Sequence, residues 1–182
     1  MKVEINIENV KAAYEIADEA GRKLLRDLFP EALTAPVTER IKTLYDACCE
    51  IGFDHPFVKN AKQVELLKAY DVNLCAFAHL RIICAALNEG WVSKPGDASY
   101  YPVFEFFTEA EVKEMNNKAA DSLYIIEPKF DTEFTAVDYS FAAMSETESS
   151  CLLLKTPELA KYCGKQFIDL WMDYLLPIKK DD

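Results

Sequence analysis

Glycine is scarce in this chain of 182 residues: five occur, at 21, 52, 90, 96 and 164, and none stands near another. That excludes the glycine-rich loops that cradle phosphates, which need several glycines within one turn of chain. Histidine is scarcer still, with only His55 and His79, and there is no H-E-x-x-H, C-x-x-C or G-x-S-x-G. The paired spacings of structural zinc sites and the nucleophile elbow of hydrolases are therefore absent. Arginine is limited to Arg22, Arg26, Arg40 and Arg81, and 31 acids against 20 basic residues leave a formal charge of −11. Nucleic-acid binders draw affinity from Lys and Arg that displace counterions from phosphate, so direct binding to DNA or RNA is disfavoured. Long apolar runs are missing too. The longest, "VNLCAFAHLRIICAAL" at 72–87, is interrupted by Asn73, His79 and Arg81, short of the roughly 20 apolar residues that span a bilayer. The opening "MKVEINIENV" has no basic region followed by an apolar one, so the expected location is the cytoplasm, away from membranes.

What is present is an ordinary globular mix, 51% apolar and 28% charged, in a length suited to one domain with one core. The expectation is a single domain over 1–182, with a helical half at about 8–90 and a sheet plus C-terminal helix at about 98–177. Four of the six cysteines (48, 49, 75, 84, 151 and 163) sit in helical patterns among Ala, Ile and Leu, as reduced thiols acting as small apolar residues do.

"KVEINI" alternates Val3, Ile5 and Ile7 with polar residues, the pattern of a short strand or extended arm. From Glu8 to Phe29, Val10, Ala13, Ala17, Ala20, Leu24 and Leu28 recur at three and four, predicting one helix with a buried face that Pro30 ends. A second helix is predicted with Thr38 as N-cap, Ile41, Leu44, Cys48 and Ile51 as its stripe and Gly52 as its stop. A third, from about Gln63 to Asn88, is apolar on nearly every side in its latter half and reads as the core pillar. Beyond Gly90, "YYPVFEFF", "SLYII", "FTAVDYSFAAM" and "SCLLLKT" read as strands, the last two forming a hairpin across "SETESS". Thr108 and Glu111 have capping-box spacing. "TPELAKYCGKQFIDLWMDYLLP" predicts one helix capped by Thr156, begun at Pro157 and stopped by Pro177, with Gly164 marking a close approach by a neighbouring backbone.

Four features carry possible chemistry. Cys75 and His79 share a helix face, and Cys48, Cys49 and His55 could add ligands, but a buried thiol beside a hydrogen-bonded histidine accounts for the pair. His79 and Arg81 are polar in an apolar helix, and a buried charge needs a partner, expected to be a carboxylate from the acidic half. Asp121, Glu127 and Lys129 resemble the acid and acid-x-lysine pattern of some metal-dependent nucleases, although Pro128 removes a strand donor and the charge opposes DNA. The aromatic cluster holding Trp91, Tyr100, Tyr101 and Phe104 is flanked by Glu89, Asp97 and Glu105, which favours a structural joint over a base-stacking face. No catalytic residue, metal ligand or cofactor is assigned.

Charge is unevenly spread. Residues 121–158 hold Asp121, Glu127, Asp131, Glu133, Asp138, Glu146, Glu148 and Glu158 against Lys129 and Lys155, a field able to attract a basic partner. The candidate interaction surface is Glu127, Asp131, Glu133, Asp138, Glu146 and Glu148.

The order "RIKTLYDAC", "ALNEGW", "YYPVFEF" and "SSCLLLKTPELAKYCGKQFIDLWMDYLL", from about Val37 to Leu176, resembles a family of uncharacterised proteins encoded by bacterial phages and integrated mobile elements. Its members have "RIKTFEDAC", "ALNEGW", a YYP-aromatic turn and an "ELA-Y-GKQF-DLY" helix. This chain differs in having only "VSKPGDAS" after the "GW", and in its "TEAEVKEMNNKAADSLYIIEPKFDTE" segment. The resemblance implies a phage or mobile-element accessory setting and no reaction.

The expectations are thus an α+β fold, with N-terminal helices, a central buried helix, a small antiparallel sheet and a C-terminal helix packed on it. The leading functional expectation is a non-enzymatic protein-interaction module with an unknown protein partner. The alternatives are an acidic DNA mimic that inhibits a host DNA-binding protein, and a metal-dependent hydrolase or nuclease.

Overall fold

The computed structural model describes residues 6–33, 35–94, 96–115, 117–145 and 152–179. The chain falls into two compact units, residues 1–40 and 41–182.

In the first unit the anticipated single helix over 8–29 is two: α1 (Ile7–Ile16) and α2 (Glu19–Leu28). The break is local chemistry. Asp18 accepts the Gly21 N–H at 2.8 Å and caps a new helix, while Ala17 is extended. Ile7 belongs to α1, which Asn6 caps; Val3 and Ile5 lie outside the described residues. Of the predicted apolar face only Val10 is buried, and Leu24 and Leu28 are exposed. Pro30 opens α3 (Pro30–Leu33), and α4 (Val37–Arg40) follows.

The second unit begins at Ile41, which is fully buried. Thr38 does not cap the next helix. Thr43 does, through a reciprocal box with Asp46, whose carboxylate also accepts the Lys42 N–H, so α5 runs Leu44–Ile51. Gly52 stops it with φ 88°, as its position predicts. α6 (Pro56–Val64) starts ahead of the helix anticipated from about Gln63, capped by the His55 ring, which accepts the Phe57 N–H at 3.2 Å.

The predicted helix over 63–88 is likewise divided. A single 3-10 turn at Glu65–Leu67 and a loop separate α6 from α7 (Val72–Leu87), which Asp71 caps by accepting the Leu74 N–H at 2.8 Å. α7 is the pillar its composition predicts, burying Leu80, Ile82, Ile83, Cys84, Ala86 and Leu87. It packs against α5 and α6. Glu89 and Gly90, with φ 49° and 84°, end the helix, and buried Asn88 ties it to the later chain by donating to Leu153 O at 2.8 Å and accepting from Lys155 N at 3.0 Å.

β1 (Ser99–Thr108) leads into α8 (Glu109–Glu114) through the Thr108–Glu111 capping box. α9 (Asn117–Ala120), β2 (Tyr124–Ile125) and β3 (Phe134–Ser145) follow, and the sheet is antiparallel in the order β1-β3-β2. The predicted hairpin after β3 falls partly outside the described residues (146–151). Within them, Leu154 makes an isolated bridge to Tyr100 instead of joining a strand.

The C-terminal helix is also two. α10 (Pro157–Gln166) begins at Thr156 and Pro157 as predicted and lies on β1 and β3. At Phe167 the chain bends (φ −118°, ψ 33°) into α11 (Ile168–Leu175), which packs on α7. Asn73 of α7 fixes that packing, its amide donating to the carbonyls of Asp173, Tyr174 and Leu176 at 2.8–3.1 Å. The fold is α+β, and no helix among the described residues is long and apolar enough to cross a membrane.

Candidate functional site

The aromatic segment from Trp91 to Phe104 contributes to packing and to an opening. Tyr100 exchanges backbone hydrogen bonds with Leu154 at 2.8 and 2.9 Å, and the Phe104 ring rests 5.5 Å from Trp171. Trp91 is half-buried, its backbone N–H donating to Asn88 O. Tyr101 is partly exposed and, with Pro102, Phe104, Leu152, Trp171 and Leu175, lines an apolar depression of about 300 Å³.

Among the described residues, basic groups stand beside several of the acids. Glu127 is 3.1 Å from Lys129, whose ammonium also meets Asp173 at 2.9 Å. Burial pulls the Lys129 pKa down, but the two carboxylates outweigh it and hold it above the ordinary lysine value. Asp131 and Glu133 are exposed, Asp138 lines a pocket with Lys161 and Lys165, and Glu146 and Glu148 lie outside the described residues. Asp121 is exposed after α9 and takes no part in the Glu127–Lys129–Asp173 network. Tyr124 adjoins that network by donating to Asp169 at 2.6 Å, and burial together with that carboxylate pushes its pKa far above the ordinary phenol value.

His79 and Arg81 find partners other than those anticipated. His79 Nε2 is 3.3 Å from Glu65 of the preceding 3-10 turn, a carboxylate of the helical half. Burial lowers its pKa and Glu65 opposes the shift, so the ring stands neutral at pH 7. The Arg81 guanidinium sits 4.1 Å over the Phe57 ring, a stacking contact that partly offsets desolvation. Cys75 Sγ contacts Val64 O at 3.2 Å, and burial raises its pKa and that of Cys48. All the described cysteines are free, and no cluster of three or more His, Cys, Asp or Glu among the described residues could hold a metal ion.

The surface that sequence reasoning missed lies at the junction of α6 and α7. Because the helix breaks there, Leu66, Leu67 and Tyr70 project from a tight turn, with Leu66 81% and Tyr70 89% exposed. The turn is held by backbone hydrogen bonds from Tyr70 N and Asp71 N to Leu67 O. Beside it opens a cleft of about 420 Å³ walled by Leu44, Phe53, Val58 and Ile82, to which Glu65, Lys68 and His79 contribute. Glu65 and Lys68 pair at 3.1 Å and belong to both turn and cleft. Phe53 extends the apolar surface to Tyr45, their ring centroids 5.8 Å apart. Single exposed apolar residues are ordinary, whereas a contiguous set rimmed by charges marks a contact surface. The signal in the sequence was "LLKAYD", apolar residues immediately before a capping Asp.

No protein-family model matches the chain, and neither a curated protein nor a solved structure matches it.

Proposed function

We propose that the chain is a non-enzymatic interaction module that binds another protein through the turn of Leu66, Leu67 and Tyr70 and the adjoining cleft. The observation that carries this reading is the near-complete exposure of Leu66 and Tyr70 in an ordered turn. Leaving two large apolar side chains in water forgoes about 1.5–3 kcal/mol each, and a partner with an apolar groove recovers that energy. The Glu65–Lys68 pair at the rim supplies polar complementarity. The motif resemblance adds a setting to the same proposal, an accessory protein of a phage or mobile element.

The test pairs the wild-type chain with a Leu66→Asp/Tyr70→Asp variant. Both positions are exposed, so the variant is expected to melt as the wild type does. Affinity capture from a lysate of a phage-carrying bacterium, read by mass spectrometry, should yield a partner that the wild type retains and the variant loses. Identical captures, or a partner held equally by both, overturn the proposal.

A further inference from the structure

A polar pocket lies where the sheet's central strand meets α10, built by a feature no strand pattern predicts. Consecutive residues of a regular strand point to opposite faces, yet Asp138, Tyr139 and Ser140 of β3 all line one pocket of about 350 Å³. The register explains how. Between the pairs Val103–Phe141 and Glu105–Asp138, β3 runs one residue longer than β1, a bulge that re-aims the side chains. Asp138 holds it by accepting the Ser140 N–H at 2.8 Å.

Facing the bulge are Ser122, after α9, and Lys161 and Lys165, one turn apart on α10. Both lysines are exposed, and neither enters an ion pair among the described residues, although acids outnumber bases in the chain 31 to 20. Like charges one helical turn apart repel, and a bound anion reverses that term. The Ser140 hydroxyl is a free donor among the described residues, while the Ser122 hydroxyl donates to Ala119 O at 2.7 Å and so offers only acceptor lone pairs. Asp138 opposes a bare anion, but its second oxygen remains to accept from a ligand hydroxyl.

We infer that this pocket binds a small phosphomonoester that also carries hydroxyl groups, with Lys161 and Lys165 on the phosphate, Ser140 donating to it and Asp138 accepting from a hydroxyl. The volume lies within the range of small-ligand pockets, roughly 300–1,000 Å³, and lysine ammonium groups are suited to phosphate as mobile point charges.

The experiment is a titration of the full ¹⁵N-labelled chain with ribose 5-phosphate, inorganic phosphate and ribose, followed by amide shifts. Ribose 5-phosphate should move the Ser122, Tyr139 and Ser140 amides, with inorganic phosphate weaker and ribose silent. Lys161→Ala/Lys165→Ala should weaken binding about tenfold or more, since hydrogen bonds to charged groups are the strong ones, and the arginine pair at the same positions should restore most of it. Amides distant from the pocket report that each variant is folded. Asp138→Asn should strengthen binding of inorganic phosphate and reduce the advantage of ribose 5-phosphate. Shifts scattered away from the pocket, or affinity unchanged in the double-alanine variant, overturn the inference; equal affinities for inorganic phosphate and ribose 5-phosphate remove its hydroxyl-recognition part.

Discussion

His79 shows how one residue can link burial to pH. In the unfolded chain a histidine titrates near 6.5, and in the fold burial lowers that value against the pull of Glu65 at 3.3 Å. Below about pH 6.5 the unfolded chain therefore takes up a proton before the folded one does, and stability falls until the folded value is reached. Lys68, also on the cleft, acts in the same direction as burial. Chemical denaturation between pH 8 and 5 should show a steeper loss of stability for the wild type than for His79→Gln, which keeps a polar group beside Glu65 without titrating. Parallel curves would mean that His79 is protonated equally in both states. The sequence marked His79 as a polar residue needing a partner. It placed that partner in the wrong half, because Glu65 came within reach only once the chain broke between α6 and α7.

The longer helices were legible, whereas the short α3 and α9, most of α6, and helix continuity were not. The predicted stops that held, at Pro30, Gly52 and Pro177, rest on residues whose backbone preferences act wherever they stand. The missed breaks rest on Asp18, Thr43 and Asp71, residues that also occur within helices and act as caps only when their side chains turn back on the backbone. Phe167 has no such local signal: α10 meets the sheet and α11 meets α7, and the bend lies where the neighbour changes. The bulge at Tyr139–Ser140 was hidden for a related reason, since it depends on the register with β1. Gly164 was legible in kind. A Cβ there would stand 2.9 Å from the Cβ of Pro102, so the close neighbour is the rigid ring of β1 instead of its backbone. Gly164→Ala gains about 1 kcal/mol of helix propensity but forces α10 away from β1, and overpacking typically costs 1–3 kcal/mol. The expected result is a lower melting temperature that adding Pro102→Ala does not restore, because alanine keeps the Cβ that the new methyl meets. A Gly164→Ala chain more stable than the wild type would show that α10 shifts freely.

At the scale of the molecule, composition gave the fold class and the buried pillar, and the division near residue 40 was outside its reach. α1 and α2 are ten residues each, and isolated helices of fewer than about 12–15 residues are marginal in water. A unit of about 40 residues is also at the lower limit of what buries enough surface to fold alone. Residues 41–182 are better provided. α7 is buried along most of its length, and the first residues of that unit are fastened to α10, with the Tyr162 hydroxyl donating to Ile41 O at 2.6 Å and the Gln166 amide to Lys42 O at 2.9 Å. A chain truncated to 41–182 should therefore melt cooperatively and keep dispersed amide signals for α7, β3 and α10, whereas a peptide of residues 1–40 should show little helix by circular dichroism. A truncated chain that binds hydrophobic dye and melts without a transition would place the first unit within the cooperative core, and the two units would then have to be treated as one folding entity.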